Sequence, residues 1–327
     1  MCNLNFLIKT STEEDNDLLT AYNSACFNSF VSNSDSEGFY FDSKNTIITS
    51  EEKINLNQNK DLFNYSNFVL GHERISTSGF NIDYAQPFKK NGFVFIHNGV
   101  VSDYDRDGHS DTFNLFNNFL KHFSRYSKKN KRPTALKRSI EKILKNKYGS
   151  FSIGIFDIEN KTLYYFKNDK TKISGILSED KSLFYLTTQN YNTEFLNIYN
   201  PDLKEFEIKD NTLYFIKITK RNKISIKTHG ALNFKEHKTA PIPTKQFTFN
   251  IAPDPAQSIN QRTDPDPAEI FNIEHFKRIM NIKKNDIAVE CRACSDLTSN
   301  SSGDYGGIYC DQCLSDYENI NYTNYLK

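Results

Sequence analysis

Short runs of β-branched and aromatic residues, many closed by Asn, Asp or Gly, recur through the first 230 residues and are interrupted by a few amphipathic stretches. A chain written this way is compatible with a strand-rich fold that holds a few helices. The runs predict strands at 39–48, 68–76, 93–98, 150–157, 162–167, 182–188, 212–217 and 223–227. Helices are expected at 13–30, 111–126 and 134–147. In the second, Phe113, Phe116, Leu120 and Phe123 fall at helical spacing behind an N-cap at Ser110 or Asp111, and core packing is the expected use of those rings. Periodicity alone therefore predicts a mixed α and β fold. With 27 Phe and 18 Tyr in 327 residues, a large core is available to it.

After residue 230 the text changes. APIPT, IAPDPAQ and TDPDPAE succeed one another between Pro241 and Pro267, where proline fixes its own φ and biases the residue before it towards extended backbone. The expected organisation is a domain over 2–230, a proline-rich linker over 231–267, and a last segment over 268–327 holding a short helix at 268–282 and four cysteines. Lys and Arg number 41 against 40 Asp and Glu, so net charge names no partner. The opening MCNLNFLIKT has neither a basic nor a long apolar region of a signal peptide, and no apolar run reaches the roughly 18 residues that span a bilayer. The expectation is a cytoplasmic protein without a membrane partner.

Cys2 concentrates the chemistry at the start of the chain. Removal of Met1 would give one residue both a thiol and a free α-amine, whose reference pKa of about 7.7 to 8.0 lets it act as general base for its own side chain. A cysteine at position 2 can also arise by chance. Five further motifs change that balance: GHERISTSG at 71–79, AQPF at 85–88, FIHNGVVSD at 95–103, HSDTFNLF at 109–116 and YGSFSIGIFD at 148–157 appear in that order.

On these motifs residues 2–230 resemble the glutaminase domain of class II glutamine amidotransferases, which are N-terminal-nucleophile (Ntn) hydrolases. The resemblance implies an α+β fold, a four-layer α/β/β/α sandwich of two facing antiparallel sheets, with a first strand that presents the nucleophile. It implies an enzyme whose Cys2 thiolate attacks the side-chain amide of glutamine, releasing ammonia through a γ-glutamyl thioester. Asn98 and Gly99 match the asparagine and glycine that stabilise the oxyanion, Arg74 matches the arginine that forks onto the substrate carboxylate, Asp111 the partner of its ammonium, and Thr77 a position near the substrate. Taken singly, Arg74 suits a surface ion pair, Asp111 a helix cap, and Asn-Gly a turn. Gln86 stands where the family often has His, Asn3 where larger members have Gly, and Ser78 where some have His. His72, His97 and His109 have no metal-ligand spacing and are expected in packing and hydrogen bonding; Cys26 is expected as a small buried hydrophobe.

CRAC and CDQC, fifteen residues apart, place Cys291, Cys294, Cys310 and Cys313 at the spacing of a four-thiolate structural zinc site. No organic cofactor is expected. Arg292 is the one base between Cys291 and Cys313, against Asp296, Asp304 and Asp311, so the segment suits protein docking and argues against nucleic acid. No Walker A, pyrophosphatase-loop or dinucleotide-binding pattern occurs, so any ammonia acceptor is expected on a partner synthetase docked through the C-terminal region. Two alternatives remain open on these residues: a stand-alone hydrolase of another γ-glutamyl amide, and an idle domain retained as scaffold.

Overall fold

The computed structural model describes residues 2–33, 35–75, 82–104, 109–190 and 192–234, together with the backbone of two short strands at 289–290 and 297–298. Two antiparallel sheets form its frame. The first has seven strands in the order β11-β9-β10-β1-β4-β2-β3: β1 is Asn3–Lys9, β2 Ser36–Phe41, β3 Thr46–Ser50, β4 Phe68–Arg74, β9 Ser174–Ser178, β10 Leu183–Thr187 and β11 Leu203–Glu205. The second has six in the order β13-β12-β8-β7-β6-β5: β5 is Phe88–Lys90, β6 Phe93–Val101, β7 Gly149–Asp157, β8 Thr162–Lys167, β12 Thr212–Ile218 and β13 Ile224–Ala231.

Three apolar clusters show how the layers stack. Leu4, Phe6 and Ile8 of β1 meet Val94 and Ile96 of β6 and Tyr165 of β8, so one core lies between the sheets. Helices α1 (Asn16–Ser32), α2 (Lys60–Tyr65) and α5 (Asn192–Tyr199) cover the other face of the first sheet through Leu18, Tyr22, Phe63 and Phe195. Helices α3 (Asp111–Ser127) and α4 (Arg132–Leu144) cover the second through Phe116, Phe119, Leu136 and Ile140. This is the layered arrangement of two facing antiparallel sheets between helices that the resemblance implied. The strands β14 (Val289–Glu290) and β15 (Leu297–Thr298) pair antiparallel; Cys291, Cys294, Cys310, Cys313 and the expected helix at 268–282 lie outside the described residues.

Local chemistry sets the helix starts. Asp15 accepts from the Leu18 amide at 2.9 Å, so α1 begins at Asn16, three residues later than expected. Ser110 caps α3 through the Phe113 amide at 3.2 Å, which leaves Asp111 as the first helical residue and not the cap. The aromatic stripe of α3 packs as expected: Phe116 stacks on Phe95 at 5.0 Å and Phe119 meets Phe93 edge-on at 5.5 Å. Phe113 is the exception, half-buried against Phe88. The expected strand at 39–48 is a hairpin, β2 and β3, because Asn45 takes a positive φ of 50° and reverses the chain.

β1 lies between β10 and β4 near the centre of its sheet, with all seven residues buried. Its central place fixes the approach of residue 2, because Asn3 pairs with Glu73 and the next step along the ladder brings Cys2 beside Arg74. Side-chain alternation does the rest. Leu4, Phe6 and Ile8 point between the sheets, as do Phe68 and Leu70 of β4 and Val94 and Ile96 of β6, so Cys2, Arg74 and Asn98 share that direction at the sandwich end.

Candidate functional site

At that end Cys2, Arg74, Ile75, Gln86, His97, Gly99, Ser110, Asp111 and Thr112 line one cleft. Four of the expected site residues, Cys2, Arg74, Gly99 and Asp111, are therefore brought together from β1, β4, β6 and the start of α3. Asn98 lies beside the cleft, 4% exposed, and is not part of its wall; its Oδ1 has no hydrogen-bond partner among the described residues. Thr77 lies outside the described residues. The space between these residues is about 20 Å³, near the room for one water.

Arg74 is 6% exposed at the end of β4, which rules out a solvent-facing ion pair. Burial lowers its pKa, and Cys2, Asp35 and Asp111 raise it, so the guanidinium faces three groups that favour its charge. Asp111, 7% exposed, accepts from the Val101 amide at 3.1 Å and the Thr112 amide at 2.7 Å. The carboxylate is thus fixed against both β6 and α3, with its charge at a helix N-terminus, where anions are favoured.

The Cys2 thiol donates to the Ile75 carbonyl at 3.5 Å. Burial pushes its pKa up, while the Ile75 backbone, the positive amino terminus and Arg74 pull it down, and Asp111 pushes it up again. Burial prevails. A thiol held protonated in this way needs a base beside it before it can attack.

Gly99 has φ 134°, a backbone state closed to other residues, and a Cβ there would stand 2.0 Å from the Ser150 carbonyl oxygen. The Asn-Gly pair is therefore a strand feature and not a turn, since β6 runs on to Val101. Behind it, His97 is buried, with its Nδ1 3.0 Å from the Thr112 hydroxyl. Ile75, Gln86, His97, Ser110 and Thr112 were not singled out from sequence as site residues. Each is within a residue of one that was or inside a quoted motif, and that adjacency was the available signal.

Among the described residues no group of three or more His, Cys, Asp or Glu side chains could hold a metal ion, and no helix is long and apolar enough to cross a membrane. Cys26, on the sheet-facing side of α1, is fully buried, as expected of a small hydrophobe. A larger cleft of about 350 Å³ lies at the other end of the second sheet, between Arg132, Tyr164, Phe215, Lys217 and Lys227. Its arginine is bound to Asp157 and Glu159, and its wall holds no cysteine, histidine or carboxylate to drive acyl chemistry.

Solved structures share this arrangement. The glutamine phosphoribosylpyrophosphate amidotransferase from B. subtilis, complexed with ADP and GMP, matches with a TM-score of 0.50 and 13% identity over 71% of this chain and 50% of that one. The chain shares its fold with a glutamine amidotransferase. A structure described as the allosteric regulatory enzyme of purine biosynthesis matches with the same TM-score, identity and coverage. A predicted glutamine amidotransferase from Pseudomonas aeruginosa is also found, at 14% identity and a TM-score of 0.34, over 71% of this chain and 95% of that one. The chain spans half the length of the first two structures, and at this identity the likeness is one of fold. No family model and no curated protein matches the chain.

Proposed function

We propose that the chain is a glutaminase of the class II amidotransferase type, with Cys2 as nucleophile once Met1 has been removed. The observation that carries this is the convergence of Cys2, Arg74, Gly99 and Asp111 on one cleft from four separate elements. Chance placement of four such residues on an unrelated sandwich has no reason to give a thiol, a cation, an anion and a strained glycine in one wall.

Each group has a definable part in the chemistry. Arg74 takes the α-carboxylate of a free amino acid with two parallel hydrogen bonds, and Asp111 takes its α-ammonium. The side-chain carboxamide then points at Cys2. The α-amine of Cys2 accepts the thiol proton as sulfur attacks the amide carbon, and returns a proton to nitrogen as the C–N bond breaks. The tetrahedral oxyanion receives hydrogen bonds from the Asn98 side chain and the Gly99 amide. Ammonia leaves, a γ-glutamyl thioester remains, and water hydrolyses it to glutamate with release of the thiol.

Ammonia transfer to a partner synthetase, and a structural zinc site at Cys291, Cys294, Cys310 and Cys313, belong to the same proposal. The zinc site rests on cysteine spacing. Elemental analysis of purified protein should find about one zinc per chain, lost in Cys291→Ser; fully folded, metal-free wild type refutes the zinc site.

Ammonia release from glutamine, with mass spectrometry of the chain after incubation with a diazoketone analogue of glutamine, tests the enzyme. The expected product is one adduct on a chain that lacks Met1. A processed chain that neither hydrolyses glutamine nor takes the label defeats the proposal. Asp111→Asn should raise KM for glutamine about 10- to 100-fold with kcat within a few-fold, the scale of one charged hydrogen bond of roughly 1.5–3 kcal/mol. An unchanged KM in a variant that melts like wild type would remove Asp111 from the substrate clamp.

A further inference from the structure

Gln86 ends the short connection into β5, one residue before Pro87. β5 pairs with β6 through Phe88 and Phe95. β5 begins at Phe88, so no β5 residue stands opposite His97, two residues beyond Phe95 on β6. The edge of β6 would then be left open at His97, which is 1% exposed. An unpaired buried N–H or C=O costs roughly 1–3 kcal/mol.

Gln86 closes the gap with its side chain. Its Oε1 accepts from the His97 amide at 2.7 Å and its Nε2 donates to the His97 carbonyl at 3.1 Å. The two partners fix which end of the amide is which, because a backbone N–H needs an oxygen and a carbonyl needs a nitrogen. From the opposite sheet, His72 Nε2 donates to the same carbonyl at 3.2 Å, which fixes its tautomer. Burial, reinforced by Arg74, holds the His72 pKa down at about 3, so the ring is neutral and the contact does not change near neutral pH. Both lone pairs of the His97 carbonyl are thereby occupied. That carbonyl belongs to the peptide that enters Asn98, and Asn98 leads directly to Gly99.

The same amide reaches the substrate clamp. Gln86 Nε2 lies 3.4 Å from the Thr112 hydroxyl, which donates to Asp111 Oδ1 at 3.3 Å and faces His97 Nδ1 at 3.0 Å. Gly38 of β2 admits this packing, for a Cβ there would stand 2.1 Å from the Gln86 carbonyl oxygen.

We infer that Gln86, with His72, is a positioning residue: it holds the His97–Asn98 peptide so that Asn98 and Gly99 meet the oxyanion, and ties that strand to the carboxylate of Asp111. The inference rests on the proposed glutaminase reaction. It makes the glutamine at this position, a departure from the family's histidine, part of the machinery.

Gln86→Met keeps the volume and removes both ladder bonds; Gln86→His keeps one donor and one acceptor. In the full chain, Gln86→Met should lower kcat about 10- to 100-fold with KM within about 3-fold, as expected when an oxyanion donor is displaced and not deleted. Gln86→His should recover most of that loss. Amide hydrogen exchange at His97, Asn98 and Gly99 should quicken in Gln86→Met, and this readout holds whether or not the wild type hydrolyses glutamine. A kcat within 2-fold of wild type, or unchanged exchange at these three amides, overturns the inference. Inactive wild type with faster exchange in Gln86→Met overturns the reaction and leaves the positioning of the strand intact. Should Gln86→Met fail to fold, Gln86→Leu, which likewise removes both bonds to the His97 backbone, decides: kcat and exchange both unchanged from wild type defeats the inference.

Discussion

Cys2→Ala is expected to abolish glutamine hydrolysis, with a loss of at least about 10⁴-fold in kcat, the scale seen when the nucleophile of a covalent mechanism is removed. The variant should fold. Cys2 Sγ makes one long hydrogen bond, to the Ile75 carbonyl at 3.5 Å, and its loss is worth at most about 1 kcal/mol. Binding should persist, because Arg74 and Asp111 are untouched, so the variant should still bind glutamine while forming no adduct with the diazoketone. A chain with one extra residue between Met1 and Cys2 separates sulfur from base. It keeps the thiol, places the α-amine one residue away, and should be as inactive as Cys2→Ala. Hydrolysis by Cys2→Ala at more than a hundredth of the wild-type rate would put the reaction elsewhere in the molecule.

Gly99→Ala carries the second large effect, and it strikes fold and reaction together. A φ of 134° is strained for any residue with a Cβ, and that atom would meet the Ser150 carbonyl oxygen at 2.0 Å, in the partner strand and not in a side chain that can swing away. Backbone strain alone is worth roughly 1–3 kcal/mol. With the displaced strand pairing added, a loss of about 3 kcal/mol lowers the melting temperature by roughly 6 to 12 °C in a domain of this size. Any folded fraction should hydrolyse glutamine at least about 100-fold more slowly, since the Gly99 amide moves away from the oxyanion. Gly92→Ala is the control. Its φ is 78°, yet nothing stands within 4 Å of the added Cβ, so it should cost roughly 1–2 kcal/mol, the penalty of a positive φ alone, and leave activity alone. Equal melting temperatures and equal rates for the two variants would refute the account of Gly99.

Much of the frame was legible in the residues, and the reason is periodicity. The stripe on α3 and the strands β4, β6, β7, β8 and β12 are long enough for their spacing to declare them, and their bounds shift by three residues or fewer. The short elements were not. β5 and β11 have three residues each and α5 has eight, too few for a pattern to emerge, and β1 is buried on both faces and so shows no alternation. The parity of the strands could have been used further: His72 sits two residues before Arg74 and therefore on the same face, which places it against the strand that carries Asn98.

The chemical inventory was present in the residues alone: a cysteine at position 2, an arginine at a strand end, an Asn-Gly pair, and Ser-Asp-Thr opening a helix. Side-chain type and local spacing are properties of neighbouring residues, so they can be read without the fold. Which of these groups meet was settled by folding, because the first strand pairs with segments about 65 and 180 residues away, and no local pattern records such a pairing. Folding also settled that Ser110 and not Asp111 caps α3, which keeps the carboxylate in the cleft, and that the Gln86 side chain completes the sheet edge beyond the start of β5. Those outcomes depend on which donors and acceptors are buried together, and burial is set by the packing of the whole chain.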